Sequence, residues 1–451
     1  MYQEEPDAQR PGAKLIVAAL VATSIEWLDF FAYGLAAALV FGQVFFPSAS
    51  PLAGVLASFA TFAVGFLARP VGGLVFGHFG DNYGRKPALV TATVMMGVAT
   101  FFIGVLPSYA TIGVVAPILL TLLRIVQGFS VGGQWGGATL LLTEHSSADR
   151  RGLYGSFAQA GVAGGLIPAI SFFLIVTAVL SPDAFAAWGW RIPFLASAVL
   201  IGVGLYIQVR IEETPAFRRL QGQQDEVARN SDSYYRSPVL EVLRTHPKPV
   251  LLAAGAFIGS NAWYYFISTG MVDYATRTLG VSNTTILTII VVASFFHLAS
   301  VIVSGTVSDR VGRRPVYLGG AVLSILWTFP LFWLANTASL SLMLVAITVG
   351  LVFHGMMYGP QSALYAELFN TKVRYSGASV GYQAGAVLGG GFAPLITAAL
   401  FGATGTTVSV SLYLMVALAI TFVSVYVMSE TAERRITPEA PGTEAPQTTR
   451  E

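Results

Sequence analysis

Apolar stretches of about 20 residues follow one another along nearly the whole chain, and each is long enough to cross a hydrocarbon core of roughly 30 Å as a helix. No other feature restricts the fold so severely. Lipid offers no hydrogen-bond partners, so backbone groups must be satisfied within helices or closed barrels. The apolar runs here are continuous rather than alternating, which excludes a barrel. Of the 451 residues, 54% are hydrophobic and 11% charged, outside the range of ordinary soluble domains.

The chain has no cysteine, and its five histidines are scattered without metal-ligand spacing, so redox, thiol and metal chemistry lose their footing. No nucleophile and base stand together in the pattern of an enzyme. The polar, acidic N-terminus (MYQEEPDAQRPGAK) does not read as a cleavable signal, so insertion is expected to use the first span itself. Twelve spans are predicted, near 15–42, 54–77, 88–106, 113–140, 153–180, 190–210, 249–276, 284–307, 316–335, 340–366, 376–401 and 408–428. Of the 25 Lys and Arg, Arg69 and Arg124 fall inside spans, Arg191 and Arg277 at span ends on one side, and the remaining 21 on the other, which marks that side as cytoplasmic. The fold class is therefore an all-α integral membrane protein with both termini inside. Its expected parts are a cytoplasmic N-terminus (1–14), a six-helix bundle (15–210), a linker (211–248), a second bundle (249–428) and a tail (429–451), the linker holding at most a short surface helix.

The two halves echo each other. A loop from Gly77 to Lys86 (GHFGDNYGRK) returns 228 positions later, from Gly305 to Arg314 (GTVSDRVGRR), with Gly, Asp, Gly and two cations at identical offsets. Glu144 with Arg151 is echoed by Glu367 with Arg374, and Glu213-Thr214 by Glu430-Thr431. Such parallel duplication places a ligand at the midplane, between halves that rock. In each loop the acids Asp81 and Asp309 and the cations Arg85, Lys86, Arg310, Arg313 and Arg314 are candidates for a cytoplasmic gate closing on Glu144 and Glu367; the same cations also serve to fix topology. The first copy carries Asn82 where the second carries Arg310, so the second latch is expected to be the less tolerant of charge removal.

These residues resemble the major facilitator superfamily and, within it, the metabolite:H+ symporter family of organic-acid and osmolyte carriers. The loop pattern G-x-x-x-D-[RK]-x-G-R-[RK] is matched fully by the second copy. The finer resemblance rests on SIEWLDFFAYG (24–34), RPVGGLVFGHFGD (69–81), RIVQGFSVGGQWGGA (124–138), GWRIPFL (189–195), EETPAF (212–217) and VRYSGASVGYQAGAVLGGGFAP (373–394). It implies two pseudo-symmetric six-helix bundles, no cofactor beyond a proton gradient, and a monomer in the cell membrane that takes up a small organic acid and binds no nucleic acid. Gln134 departs from the family, which has glutamate there.

Charged groups at mid-bilayer cost roughly 2.5 kcal/mol or more and should face a cavity and a partner. Glu26 and Asp29 lie at i and i+3 on the first span, with Tyr33 on the same face, and Arg124, Gln127 and Gln134 share a stripe of the fourth. The depths predict an Asp29–Arg124 pair, either static or a proton switch that opens when a substrate carboxylate competes for the guanidinium; proton-coupled relatives also use an acid on span one beside an Arg on span four. Glu26 is a second proton-coupling candidate. Asn261, Tyr264, Tyr265 and Ser268 on span seven and His354, Tyr358, Gln361 and Tyr365 on span ten suit a small oxygen-rich anion, with Tyr382 and Gln383 as further contacts. His297 reads as an isolated packing residue. Arg69, ahead of Pro70, reads as structural, hydrogen-bonding carbonyls freed by the proline or satisfying a neighbouring helix terminus, with contact to substrate as the other reading. The expected substrate is a shikimate-like hydroxylated ring acid. A dicarboxylate would call for a second intramembrane cation; a proline- or betaine-type osmolyte carrier and a non-transporting receptor are the other readings.

Overall fold

The computed structural model describes residues 13–83, 85–132, 142–143, 146–210, 238–369 and 374–431. Among them there is no strand, and twelve long helices carry the architecture. In the first half these are α1 (Ala13–Ala36), α2 (Pro51–Tyr83), α3 (Arg85–Val105), α4 (Val115–Gly132), α5 (Arg151–Val179) and α6 (Ile192–Arg210). The second half holds α7 (Pro247–Tyr265), α8 (Asn283–Val311), α9 (Arg313–Ala335), α10 (Leu340–Leu368), α11 (Arg374–Ala386, resumed at Ala393–Thr404) and α12 (Thr407–Val427). Ten helical stretches among the described residues are long and apolar enough to cross a membrane; α6 is not one of them, and the apolar part of α3, Val90–Val105, is shorter. A short helix, Pro238–Thr245, occupies the end of the expected linker.

Wide π-helical turns extend α1 at Ala37–Phe41 and α7 at Phe266–Gly270, and interrupt α11 at Val387–Gly391. Each admits an extra residue per turn and tilts the helix beyond it, which is common where a helix lines a functional site. Helix starts obey local chemistry: the Ser181 and Ser282 hydroxyls accept from Ala184 N and Thr285 N, satisfying donors that have no partner inside the helix.

Packing relies on backbone-to-backbone approach, the usual route to helix association in a medium that supplies no hydrophobic drive. At the α2–α4 crossing a Cβ on Gly128 would lie 1.8 Å from the Gly65 carbonyl oxygen. Gly128→Ala is thus expected to force the two helices apart and destabilise the protein by about 1–3 kcal/mol, the range for overpacking a tight contact. Thermal unfolding in detergent checks this, and an unaltered midpoint would contradict the tight crossing. Between the halves, α5 meets α8 and α2 meets α11, the same contact repeated with a six-helix offset. α1 and α7 face each other through Phe31, whose ring centroid lies 5.7 Å from that of Tyr264 and 5.8 Å from that of Tyr265.

Candidate functional site

Asp29, Arg124 and Gln127 are fully buried and come together, but not as the direct ion pair expected from their depths. Gln127 stands between them. Arg124 Nη1 donates to Gln127 Oε1 at 3.1 Å, and Gln127 Nε2 donates to Asp29 Oδ2 at 2.8 Å. The spacing alone could not reveal this, because Gln127 lies one turn from Arg124 on the same face of α4 and reaches the acid first. Thr100 on α3 completes the arrangement and had no signature in the sequence. Its hydroxyl donates to Asp29 Oδ1 at 2.5 Å, lies 2.9 Å from the Met96 carbonyl, and accepts from Gln127 Nε2 at 2.9 Å. A hydroxyl has one proton and two acceptor lone pairs. With Asp29 ionised, Thr100 gives its proton to the carboxylate. With Asp29 protonated, it turns that proton to Met96 O and accepts from the acid. No heavy atom needs to move between the two states.

Arg124 rests its guanidinium carbon 3.9 Å from the Phe30 ring centroid, 4.2 Å from Tyr33 and 5.0 Å from Phe62. Such cation–π contacts hold a desolvated cation without using its N–H groups. Its Nε and Nη2 accordingly make no hydrogen bond among the described residues. Tyr33 is a floor for this cation, its hydroxyl donating to Thr61 at 2.7 Å.

Arg69 behaves in the same way, contrary to its expected role beneath Pro70. Its guanidinium carbon lies over Phe30 at 4.2 Å, Phe66 at 4.7 Å and Trp27 at 5.2 Å, and Nε and Nη1 donate to no carbonyl among the described residues. It lies within electrostatic reach of Glu26, Arg124, Tyr265, Tyr358 and Tyr382. The aromatic residues at 27, 30 and 66 were the available signal, since their rings surround Arg69 and the middle one is shared with Arg124.

The second half supplies the opposite wall. Tyr264 stacks on His354 with centroids 4.6 Å apart, and the Tyr264 and Tyr265 hydroxyls have no hydrogen-bond partner among the described residues. His297 is not isolated: its Nε2 lies 2.8 Å from His354 Nδ1, so the two imidazoles share a proton-mediated contact. Tyr358 and Tyr382 approach through their hydroxyls at 3.4 Å. Asn261 donates to Ala386 O at 3.3 Å, and Gln361 is buried in α10. Gln383 crosses between halves, its Nε2 donating to Gly132 O at 3.3 Å. Gln134 and Glu144 lie outside the described residues, as do the side chains of Asp81, Arg85 and Lys86.

The second loop copy is described in full, and most of its motif residues have a distinct task. Gly305 on α8 meets Gly152 at the start of α5, where an added Cβ would lie 2.6 Å from the Gly152 carbonyl oxygen. Asp309 caps α5 across the two halves, accepting from Gly152 N at 2.7 Å and Leu153 N at 2.8 Å, a carboxylate on the positive end of a helix. Gly312 takes φ of +99°, which permits the turn from α8 into α9. Arg313 joins Asp309 at 2.5 Å to Glu367, whose two oxygens it meets at 3.3 and 3.4 Å. Arg314 does not reach an acid of a neighbouring helix as expected; it binds the carbonyls of Val425 and Tyr426 at the end of α12. Arg310 is exposed and takes no part in these contacts among the described residues. Glu430 caps the start of α9, accepting from Arg313 N at 2.9 Å and Arg314 N at 3.0 Å, while Thr431 donates to Glu367 at 2.7 Å. The Glu-Thr echo was the trace of this clamp in the sequence.

The all-helical architecture has a counterpart among solved membrane carriers. It superimposes on the proton:xylose symporter XylE bound to 6-bromo-6-deoxy-D-glucose with a TM-score of 0.72 at 17% identity, covering 93% of this chain and 97% of that one. The family model of the Major Facilitator Superfamily matches residues 19–380 and 261–450. The shikimate transporter of Escherichia coli (strain K12) is 38% identical over 90% of this chain and 92% of its own length. The inner membrane metabolite transport protein YhjE of the same organism is 37% identical over 94% and 95%. The chain belongs to the Major Facilitator Superfamily and, within it, to the metabolite:H+ symporter family. It is a multi-pass membrane transporter of small molecules and not an enzyme.

Proposed function

We propose that the chain is a proton-coupled symporter of the cytoplasmic membrane that imports a small organic acid, a hydroxylated ring carboxylate in first place, by alternating access. The observation that carries this reading is the chain from Asp29 through Gln127 to Arg124, which ends in a guanidinium with two N–H groups unused. A substrate carboxylate docking on those groups takes over part of the charge that holds Asp29 ionised, and a proton then replaces it. Thr100 accommodates both forms. Glu26, buried on the same helix as Asp29, is the second coupling acid. Tyr264, Tyr265, His354, Tyr358 and Tyr382 supply flat walls and hydroxyls for the ring. Similarity to a shikimate transporter supports a ring acid. The reading takes all twelve long helices as spans, 15–210 and 249–428 as the two moving bundles, both termini as cytoplasmic, and a monomer as the working unit.

Counterflow in proteoliposomes tests it, with labelled shikimate, quinate, protocatechuate, 2-oxoglutarate, citrate and betaine as the panel. Exchange of the ring acids is the expected result. Exchange of only 2-oxoglutarate or citrate would move the assignment to a carrier of di- or tricarboxylates, and of betaine alone to an osmolyte carrier. Binding without exchange of any of them would mark a receptor built on a transporter fold.

A further inference from the structure

We propose that Arg69 and Glu26 form a second ligand-binding pair that reads vicinal hydroxyls at the end of the substrate away from its carboxylate; this rests on the organic-acid reading of the Arg124 site. Arg69 is 1% exposed, and two of its guanidinium nitrogens make no hydrogen bond among the described residues. A buried cation with unused donors is costly, and it persists where a ligand supplies acceptors. Arg69 shares one ring with Arg124: both guanidinium carbons lie over Phe30, at 4.2 and 3.9 Å from the centroid, which limits their separation to the length of a small ring acid. Phe66, one of the rings over which Arg69 lies, also packs on Tyr265 of the opposite half with centroids 5.2 Å apart, so Arg69 sits beside the interface where a carrier holds its ligand.

The partner acid decides what chemistry fits. Glu26 is buried on α1, one turn before the Phe30 ring over which Arg69 lies, and among the described residues the two form no ion pair. A guanidinium only donates and an ionised carboxylate only accepts, whereas a hydroxyl does both. A diol placed between them accepts from Arg69 and donates to Glu26, satisfying both charged groups. A second carboxylate would satisfy Arg69 but bring its charge against Glu26. Trp27 and Phe66, beside Arg69, add apolar faces for the carbon ring. The second intramembrane cation that a dicarboxylate would need is thus present, but its neighbouring acid turns it toward hydroxyls.

The test is competition against labelled shikimate counterflow in proteoliposomes, comparing shikimate, cyclohex-1-ene-1-carboxylate (the same ring without hydroxyls) and succinate, for wild type and for Arg69→Gln, Arg69→Lys and Glu26→Gln. Wild type is expected to prefer shikimate over its deoxygenated analogue by about tenfold or more, the discrimination of a hydrogen bond to a charged group. Arg69→Gln and Glu26→Gln should each bring that ratio toward one by weakening shikimate alone, with Arg69→Lys restoring part of it. Equal weakening of both ring acids, or an unchanged ratio, overturns the hydroxyl subsite while leaving the Arg124 site standing. Selective loss of succinate overturns it in favour of a second carboxylate. Failure of wild type to exchange any of the three overturns the organic-acid reading and this inference with it.

Discussion

Asp29→Asn is expected to abolish accumulation of substrate driven by an imposed proton gradient, while counterflow between equal pH on both sides continues at a rate close to wild type. The substitution is sterically and chemically tolerable. Asparagine can present its oxygen to Gln127 Nε2, where Asp29 Oδ2 now accepts at 2.8 Å, and its amide N–H to Thr100, whose own proton then turns to Met96 O at 2.9 Å. It therefore imitates the protonated acid and keeps the link to Arg124. What it cannot do is release a proton. Without a change of charge at this position, the carrier still passes substrate in either direction but has no way to draw on the gradient. The measurement is the height of the overshoot in proteoliposomes with acidic medium outside; an overshoot equal to wild type would remove Asp29 from the coupling mechanism and leave Glu26 to carry it.

The fold was largely legible because bilayer physics reduces the question to where apolar runs begin and end. The second loop motif was also legible, since glycine at a +99° φ and glycine against glycine admit few alternatives. Side-chain partners were less so. Depth and helical phase brought Asp29 and Arg124 to the same level, but which group bridges them depends on reach, and Gln127 and Thr100 won through distances no spacing encodes. The ring contacts of Arg69 were not legible, because a proline beside an arginine draws attention to the backbone. The aromatic residues that hold it lie on α1 as well as on α2, so the cage exists only once those helices pack. His297 looked solitary for the same reason, its partner being 57 residues away on α10.

Those same distances make the contact between α5 and α8 a quantitative matter. Asp309 holds the start of α5 through two backbone N–H groups and also holds Arg313 at 2.5 Å. Asparagine in its place must turn an amide N–H toward at least one donor, so one bond becomes a repulsion and the charge that neutralises Arg313 is lost. Hydrogen bonds to charged groups contribute about 1.5–3 kcal/mol each, so losing one of them shifts the balance away from the closed α5–α8 contact by about tenfold or more. Glu367 would still pair with Arg313 through both oxygens, which keeps the second bundle itself folded. The chain contains no cysteine, so a single introduced thiol reports this opening without background. Ser156 on α5 is fully buried, and it faces Gly305 on α8, where an added Cβ would lie 2.5 Å from its own. In a Ser156→Cys background, Asp309→Asn is therefore expected to raise the labelling rate by a membrane-impermeant maleimide in inside-out vesicles about tenfold or more. An unchanged rate would mean that the glycine contact between α5 and α8 closes the gate by itself, with the acid contributing only to the placement of Arg313.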